Sequence, residues 1–231
     1  MRILITAGPT REFFDTVRFV SNPSTGKMGY ALAAVAKSRG HEVILVTGPV
    51  ALTVPRGIEV VSVVSAAEMA AACKGVWLDC DAGILTAAVC DYRPRHKLDH
   101  KLKKKAMPRH ITLAPTEDIA AALGRTKEHR PVVGFAMEDH DHYAHAEAKL
   151  RKKRCDVIVL NGPENVGSDR ARIEILTRGG EWSRPIIGTK RAVAGRIVRL
   201  VETLAAERGA MKTGVGRGLA ERKRKRTSRR D

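Results

Sequence analysis

The sequence has no C-x-x-C pair, no uninterrupted apolar run of membrane-spanning length and neither of the two standard nucleotide-binding loops. Its four cysteines, Cys73, Cys80, Cys90 and Cys155, are scattered along the chain. That spacing excludes a zinc knuckle and a disulfide framework, and free, buried thiols in a reducing compartment are the expectation. A membrane helix needs about 18 consecutive apolar residues, which the sequence nowhere provides. The opening MRILITAG is too short an apolar run, without a small-residue cleavage site, to be a secretory signal. The expected location is therefore the cytoplasm, with no membrane partner.

What the chain does have is positive charge, a net +17 over 231 residues. Residues 209–231 carry nine Lys/Arg against two acids, a surplus of seven in a stretch with little apolar content. This reads as a disordered basic tail that contacts nucleic acid only weakly. Residues 1–208 are then one domain, and a hydrophobic content of 43% suits a buried core.

Short apolar, β-branched runs predict strands over 2–7, 42–48, 57–64, 81–89, 130–137 and 155–161. Helical spacing predicts helices over 27–39, from Ser65 onward, near 142–153, and from Thr189 to about Arg208. Residues 171–185 read as a hairpin turning at Gly179-Gly180. Strands apolar throughout and alternating with helices imply a Rossmann-like α/β fold, a mostly parallel sheet with helices on both faces. In such folds ligands bind beyond the carboxyl ends of the strands. The loops over 8–27, 90–105, 137–142 and 162–169 therefore converge on one crevice.

The first of these loops, RFVSNPSTGKMG, has Gly26-Lys27 but is not a P-loop. Ser21 replaces the first glycine and Met28 the Mg²⁺-binding hydroxyl. Asn22, Ser24, Thr25 and the N-terminus of the following helix could nevertheless hold oxygens, and Arg18 can form a fork to phosphate or carboxylate. Asp91, just past a strand, stands where a carboxylate meets Mg²⁺ or a ribose hydroxyl. The run Lys101-Leu102-Lys103-Lys104-Lys105 could close on a triphosphate, or it is a solvated charge run. His140, His142 and His145 stand among acids. No pair lies at i,i+4 and H-E-x-x-H is absent, which favours a polar helix start over a metal site. Lys149 and Lys153 share one helix face.

Taken together and in order, ITAGPTREFFDTVRFVSNPSTGKMGYALA, TAAVCDY, HKLKK and VVGFAME strongly resemble the phosphopantothenoylcysteine synthetase (phosphopantothenate–cysteine ligase) family of coenzyme A biosynthesis. The resemblance runs from about Arg2 to the helix near Arg208. It implies ligation of 4′-phosphopantothenate to L-cysteine in two steps. A nucleotide, CTP in most bacteria and ATP in eukaryotes, activates the carboxylate, and the amine of cysteine then displaces the nucleoside monophosphate. On this reading the first loop is not a P-loop because it holds an acyl phosphate between two substrates.

The resemblance also implies roles. Asn22 would stabilise the acyl-nucleotide, Arg18 would serve its use in the cysteine step, and Lys101 would favour its formation. Ser24 would meet the triphosphate, Ala88 would lie against the nucleotide, and Asp91 would serve the nucleotide and Mg²⁺. Phe135, Lys149 and Lys153 would surround base and ribose. A homodimer is implied, with the strands around 161–183 as its extension. So is a separate decarboxylase, since the chain starts at the synthetase strand and calls for no flavin. Departures from the family pattern are Thr116-Glu117-Asp118-Ile119 for N-P-D-I, Cys90 and Met137 for alanines, and Gly162 for aspartate. Two other readings are an NAD(P)-dependent Rossmann-type oxidoreductase and a non-catalytic basic RNA-associated module. The first lacks G-x-x-x-G-x-G and Y-x-x-x-K, and the second would need the tail.

Overall fold

The structure, a computed structural model, describes residues 1–104 and 110–212, with side chains through 209. Its centre is β1 (Arg2–Ala7), which pairs in parallel with β4 (Glu42–Thr47) on one side and β6 (Ala82–Leu85) on the other. Side chains alternate across the sheet, so Ile3 and Ile5 face one way and Leu4 the other. The first face is covered by α1 (Lys27–Ser38) and α5 (Lys190–Lys212), where Leu32, Ala36, Val198 and Val201 pack on Ile3 and Ile5. Each fully buried isoleucine contributes about 1.5–3 kcal/mol there. The second face is covered by α2 (Ala66–Trp77), α3 (Ile119–Arg125) and α4 (His142–Lys152), which bring Met69, Trp77, Leu123 and Leu150 onto Leu4 and Ile44.

The sheet is completed by β5 (Glu59–Ser62), β9 (Val132–Met137), β10 (Val157–Asn161), β11 (Arg170–Thr177) and β12 (Ile186–Thr189). Its order is β12-β11-β10-β9-β6-β1-β4-β5. All pairs are parallel except β10–β11 and β11–β12. The expected hairpin is thus the antiparallel edge of the main sheet. Leu176 bridges to Trp182 beyond its turn, but the second strand starts later than the sequence suggested, at Ile186.

The strand expected over 81–89 ends at Leu85. From Thr86 the chain leaves the sheet, and Ala87 N donates to Thr6 Oγ1 (3.2 Å) while Ala88 N donates to Gly8 O (2.9 Å). Two small hairpins were not foreseen. They are β2 (Arg11–Phe13) with β3 (Phe19–Ser21), and β7 (Tyr92–Pro94) with β8 (Leu113–Pro115). Strands of three residues are too short to show a period.

Helix α5 passes the expected boundary at Arg208. The Asp156 carboxylate, buried at the sheet, receives Arg208 Nη2 (2.5 Å), Lys127 Nζ and Val132 N (2.9 Å), which fixes that end of the helix to the core. The remainder of the expected tail, and Lys105 of the basic run, lie outside the described residues. All four cysteines are free and buried, as the spacing suggested. Among the described residues no helix is long and apolar enough to cross a membrane.

Candidate active site

Strand order reverses between β1 and β6, and a crevice opens beyond the carboxyl ends of strands at such a point. Here it is a cavity of about 470 Å³ whose wall includes Asn22, Ser24, Ala88, Asp91, Phe135, Lys149 and Lys153. Seven expected site residues from four separate stretches of sequence are therefore brought together.

One wall is the start of α1. Its N-cap, Gly26, has a left-handed backbone (φ 75°) and no side chain caps the helix. The hydroxyl of Ser24 accepts from Gly26 N (3.3 Å). The first intrahelical bond is Tyr30 N to Gly26 O, so the N–H groups of Lys27, Met28 and Gly29 have no protein partner among the described residues. They line the cavity and favour an anion. Gly29 lets this turn sit close to β1, since a Cβ there would lie 2.5 Å from Ala7 Cβ.

Asn22 spans the crevice mouth. Its Nδ2 donates to Ala88 O (3.2 Å) and Val89 O (3.1 Å), which orients the amide because only the NH₂ can donate to carbonyls. The segment carrying Asp91 is fixed in turn by Thr116, whose N donates to Asp91 O (2.9 Å) and whose Oγ1 donates to Cys90 O (2.5 Å). The altered segment Thr116–Ile119 still lines the cavity, and Asp118 caps α3 by accepting from Ala121 N (3.0 Å).

Lys149 on α4 and Lys153 just after it are already ion-paired. Lys149 Nζ is 2.5 Å from Glu138 Oε1, and Lys153 Nζ is 3.2 Å from Asp118 Oδ2. Asp91 differs, because its carboxylate has no hydrogen-bond or ion-pair partner among the described residues. An unpaired hard oxygen donor on the cavity wall fits Mg²⁺ delivered with a triphosphate, where one or two carboxylates and the phosphates share the ion.

Arg18 and Lys101 do not line the cavity. Arg18 Nη1 is 2.6 Å from Asp15 Oδ2 and donates to Leu102 O (3.2 Å). The inaccessible Asp15 carboxylate also accepts from Val17 N (2.7 Å), Arg18 N (2.7 Å) and Leu102 N (3.3 Å). Removal from water raises the Asp15 pKa, but these hydrogen bonds, led by that of Arg18 N, outweigh it and bring the group down to about 2. The β2–β3 turn and the exposed loop bearing Lys101 are thereby clasped to each other.

Residues 1–204 match the family described as DNA/pantothenate metabolism flavoprotein C-terminal domain. The chain belongs to that family. It is 41% identical over 212 residues to the coenzyme A biosynthesis bifunctional protein CoaBC of Bacillus subtilis, a match covering 90% of this chain and 52% of that protein. It is 43% identical over 209 residues to a cysteine/cysteine sulfinic acid decarboxylase from an unknown prokaryote, covering 88% of this chain and 58% of the other. The chain thus spans about half the length of these curated relatives. A solved C-terminal domain of a CoaBC protein is 40% identical, with a TM-score of 0.76 over 88% of this chain and 94% of that one.

In this pantothenate-metabolism domain two cavity residues escaped the sequence reading. Lys190 Nζ donates to Asn165 O (2.9 Å) and to Ser168 O, and Lys27 Nζ donates to Gly167 O (2.8 Å) and Asp169 Oδ1 (2.7 Å). Together they clamp the loop after β10 against α1. Burial, then the nearby Lys27, push the Lys190 pKa down. The signal available in the sequence was a lysine at the first position of a helix, which opposes the helix dipole.

Proposed function

We propose that this domain ligates 4′-phosphopantothenate to L-cysteine through an acyl-nucleotide, with CTP preferred and ATP the alternative nucleotide. The observation that carries the reading is Asn22, held across the crevice by Ala88 and Val89 beside the free N–H groups of α1. The reading is supported by the chain's 41% identity over 212 residues to a protein named for coenzyme A biosynthesis. The decarboxylase activity in the other relative's name is a statement about that whole protein.

In the first step a carboxylate oxygen of phosphopantothenate attacks the α-phosphorus of the nucleotide and pyrophosphate leaves. Ser24 and the α1 N–H groups bind phosphate oxygens, and preorganised donors at a site of developing charge lower the barrier. Asp91 would hold Mg²⁺ delivered with the nucleotide, which would supply charge neutralisation there. In the second step the cysteine amine attacks the acyl carbon, the nucleoside monophosphate leaves, and the amine loses a proton. Phe135, Lys149 and Lys153 position the nucleoside, with the lysines exchanging their present carboxylate partners for ligand oxygens. Arg18 and Lys101 act as one clasped unit.

The reading includes a homodimer through the antiparallel edge. There β12 has no strand on its outer side among the described residues, and Ile187 is 63% exposed. It also makes the basic tail dispensable for ligation.

The test is pyrophosphate release with 4′-phosphopantothenate, Mg²⁺ and CTP or ATP, with and without cysteine, with products read by mass. Cysteine-dependent product with stoichiometric CMP or AMP supports the ligase and names its nucleotide. Absence of release with either nucleotide, from folded protein, overturns it.

A further inference from the structure

Beyond the cavity, the loop after β9 brings together side chains whose sequence spacing argued against a metal. His140 precedes α4 and His145 lies within it, so no helical i,i+4 relation exists. Asp141, the N-cap of α4, has a left-handed backbone (φ 44°, ψ 38°), a conformation that aspartate tolerates better than most residues. This turn folds His140 back until its ring meets the edge of the His145 ring, with centroids 5.1 Å apart. One ligand atom each from His140, Asp141 and His145 then lie within 4.8 Å of one another.

A second observation is independent of that proximity. Each histidine has a carboxylate at Nδ1, namely Asp139 Oδ1 at 2.5 Å from His140 and Glu138 Oε2 at 3.5 Å from His145. At His140 the contact is a hydrogen bond, and a carboxylate behind Nδ1 orients the ring and favours the proton there, leaving Nε2 for a metal. At His145 the Glu138 carboxylate makes only an ionic contact. The helix carrying His145 is held from its other side. Tyr143 meets Trp182 edge-on (5.1 Å), and Trp182 Nε1 donates to Glu147 Oε1 (3.2 Å), which ties the first two turns of α4 to the edge hairpin.

We propose that His140, Asp141 and His145 form a binding site for one divalent transition ion of the zinc class. Two imidazoles and one carboxylate suit Zn²⁺, Co²⁺ or Ni²⁺ and disfavour Mg²⁺, which takes oxygen ligands. His140 is exposed and His145 only half-buried, so water completes the coordination. The site is distinct from the cavity but linked to it. Glu138, behind His145, contacts Lys149 of the cavity wall through its other oxygen, an ionic contact out of line for a directed hydrogen bond. The proposal does not depend on the ligase reading, because its readout is metal uptake.

The experiment is Co²⁺ titration of the full, reduced chain, followed by visible absorption and equilibrium dialysis, with Zn²⁺ as competitor. One ion per chain is expected, with nitrogen–oxygen bands displaced by Zn²⁺. Affinity should fall by more than the roughly tenfold to hundredfold typical of losing an outer-shell partner in His140→Gln/His145→Gln, which removes two ligands, and hold in His142→Gln. His142 is the control because its Nδ1 faces the Glu138 carbonyl (3.0 Å). Should the double variant fail to fold, His140→Gln and His145→Gln singly must each weaken uptake. Absence of uptake at micromolar metal, uptake untouched by the histidine changes, equal loss in His142→Gln, or a thiolate charge-transfer band would each overturn the site.

Discussion

The Asp15 carboxylate lies 2.6 Å from the Arg18 guanidinium, and the same guanidinium nitrogen reaches Leu102 O, 84 residues further along the chain. One buried acid therefore sets the position of two loops. Asp15→Asn keeps the size but removes the charge that holds Arg18 and the Leu102 N–H. Hydrogen exchange over residues 95–104 should quicken. Ligation should fall on the order of tenfold to a hundredfold, since small misplacements of positioning groups cost that much. Equilibrium nucleotide binding should change little, because Asp15 does not line the cavity. Unchanged exchange in that loop would show that the clasp does not hold it.

Asn22→Asp replaces two donated hydrogen bonds by a carboxylate facing the Ala88 and Val89 carbonyls. Turnover should drop on the order of 10²–10³-fold, as when a single preorganised donor is lost from a reacting site. The check is steady-state pyrophosphate release together with mass detection of acyl-nucleotide. Near-normal turnover would remove Asn22 from the chemistry.

Two glycine-to-alanine changes should act in opposite directions. At Gly29 a Cβ would lie 2.5 Å from Ala7 Cβ and 3.1 Å from Thr6 O, so overpacking should cost about 1–3 kcal/mol and outweigh the gain in helix propensity. At Gly75, exposed in α2 with open space around it, alanine should stabilise by about 0.5–1 kcal/mol. Urea unfolding at constant m-value measures both.

Acid should weaken the fold through two depressed carboxylates. Arg39 donates to Glu202 from Nε (2.8 Å) and Nη2 (2.7 Å), and His41 Nε2 is 2.7 Å away. The Arg39 hydrogen bond, opposed by burial and assisted by His41, brings Glu202 from 4.5 to about 2, and Asp15 falls from 3.8 to about 2. Both groups have lower folded than unfolded values. Their stabilisation is complete above the unfolded values and is lost as pH falls through about 2. Glu202→Gln should lower stability at pH 7 by about 0.5–1 kcal/mol, a partly exposed pair being worth little more. Thermal midpoints of the variant should also fall less steeply than wild type between about pH 5 and 2. Parallel curves would mean that the pairing contributes nothing.

The parallel sheet and its helices were legible because burial on both faces leaves continuous apolar runs such as RILITA and EVILVT, and small residues at helical spacing mark α1. The convergence of Asn22 and Asp91 on one cavity followed from the rule for strand ends, whereas Phe135 and Lys149, in a strand and a helix, were expected there only from the family resemblance. The pairing of β2 with β3 was not legible, since three-residue strands held by Phe13 on Phe19 leave no periodic trace. Nor was the docking of Leu102, the neighbour of Lys101, on Asp15 and Arg18, which depends on contacts remote in sequence. The approach of His140 to His145 was hidden because spacing rules assume a continuous helix and Asp141 breaks it.

The buried cysteines give the domain a chemical neutrality suited to its proposed substrate. Removal from water pushes Cys73 up to about 12 and Cys80 and Cys155 to about 11, and Cys90 rises for the same reason. The thiolate is the nucleophile in disulfide exchange, so at neutral pH these side chains are unreactive. A protein bathed in free cysteine and its oxidised dimer would otherwise collect mixed disulfides. On the proposed ligase reading, the domain would take up a thiol amino acid without offering it a reactive thiol of its own.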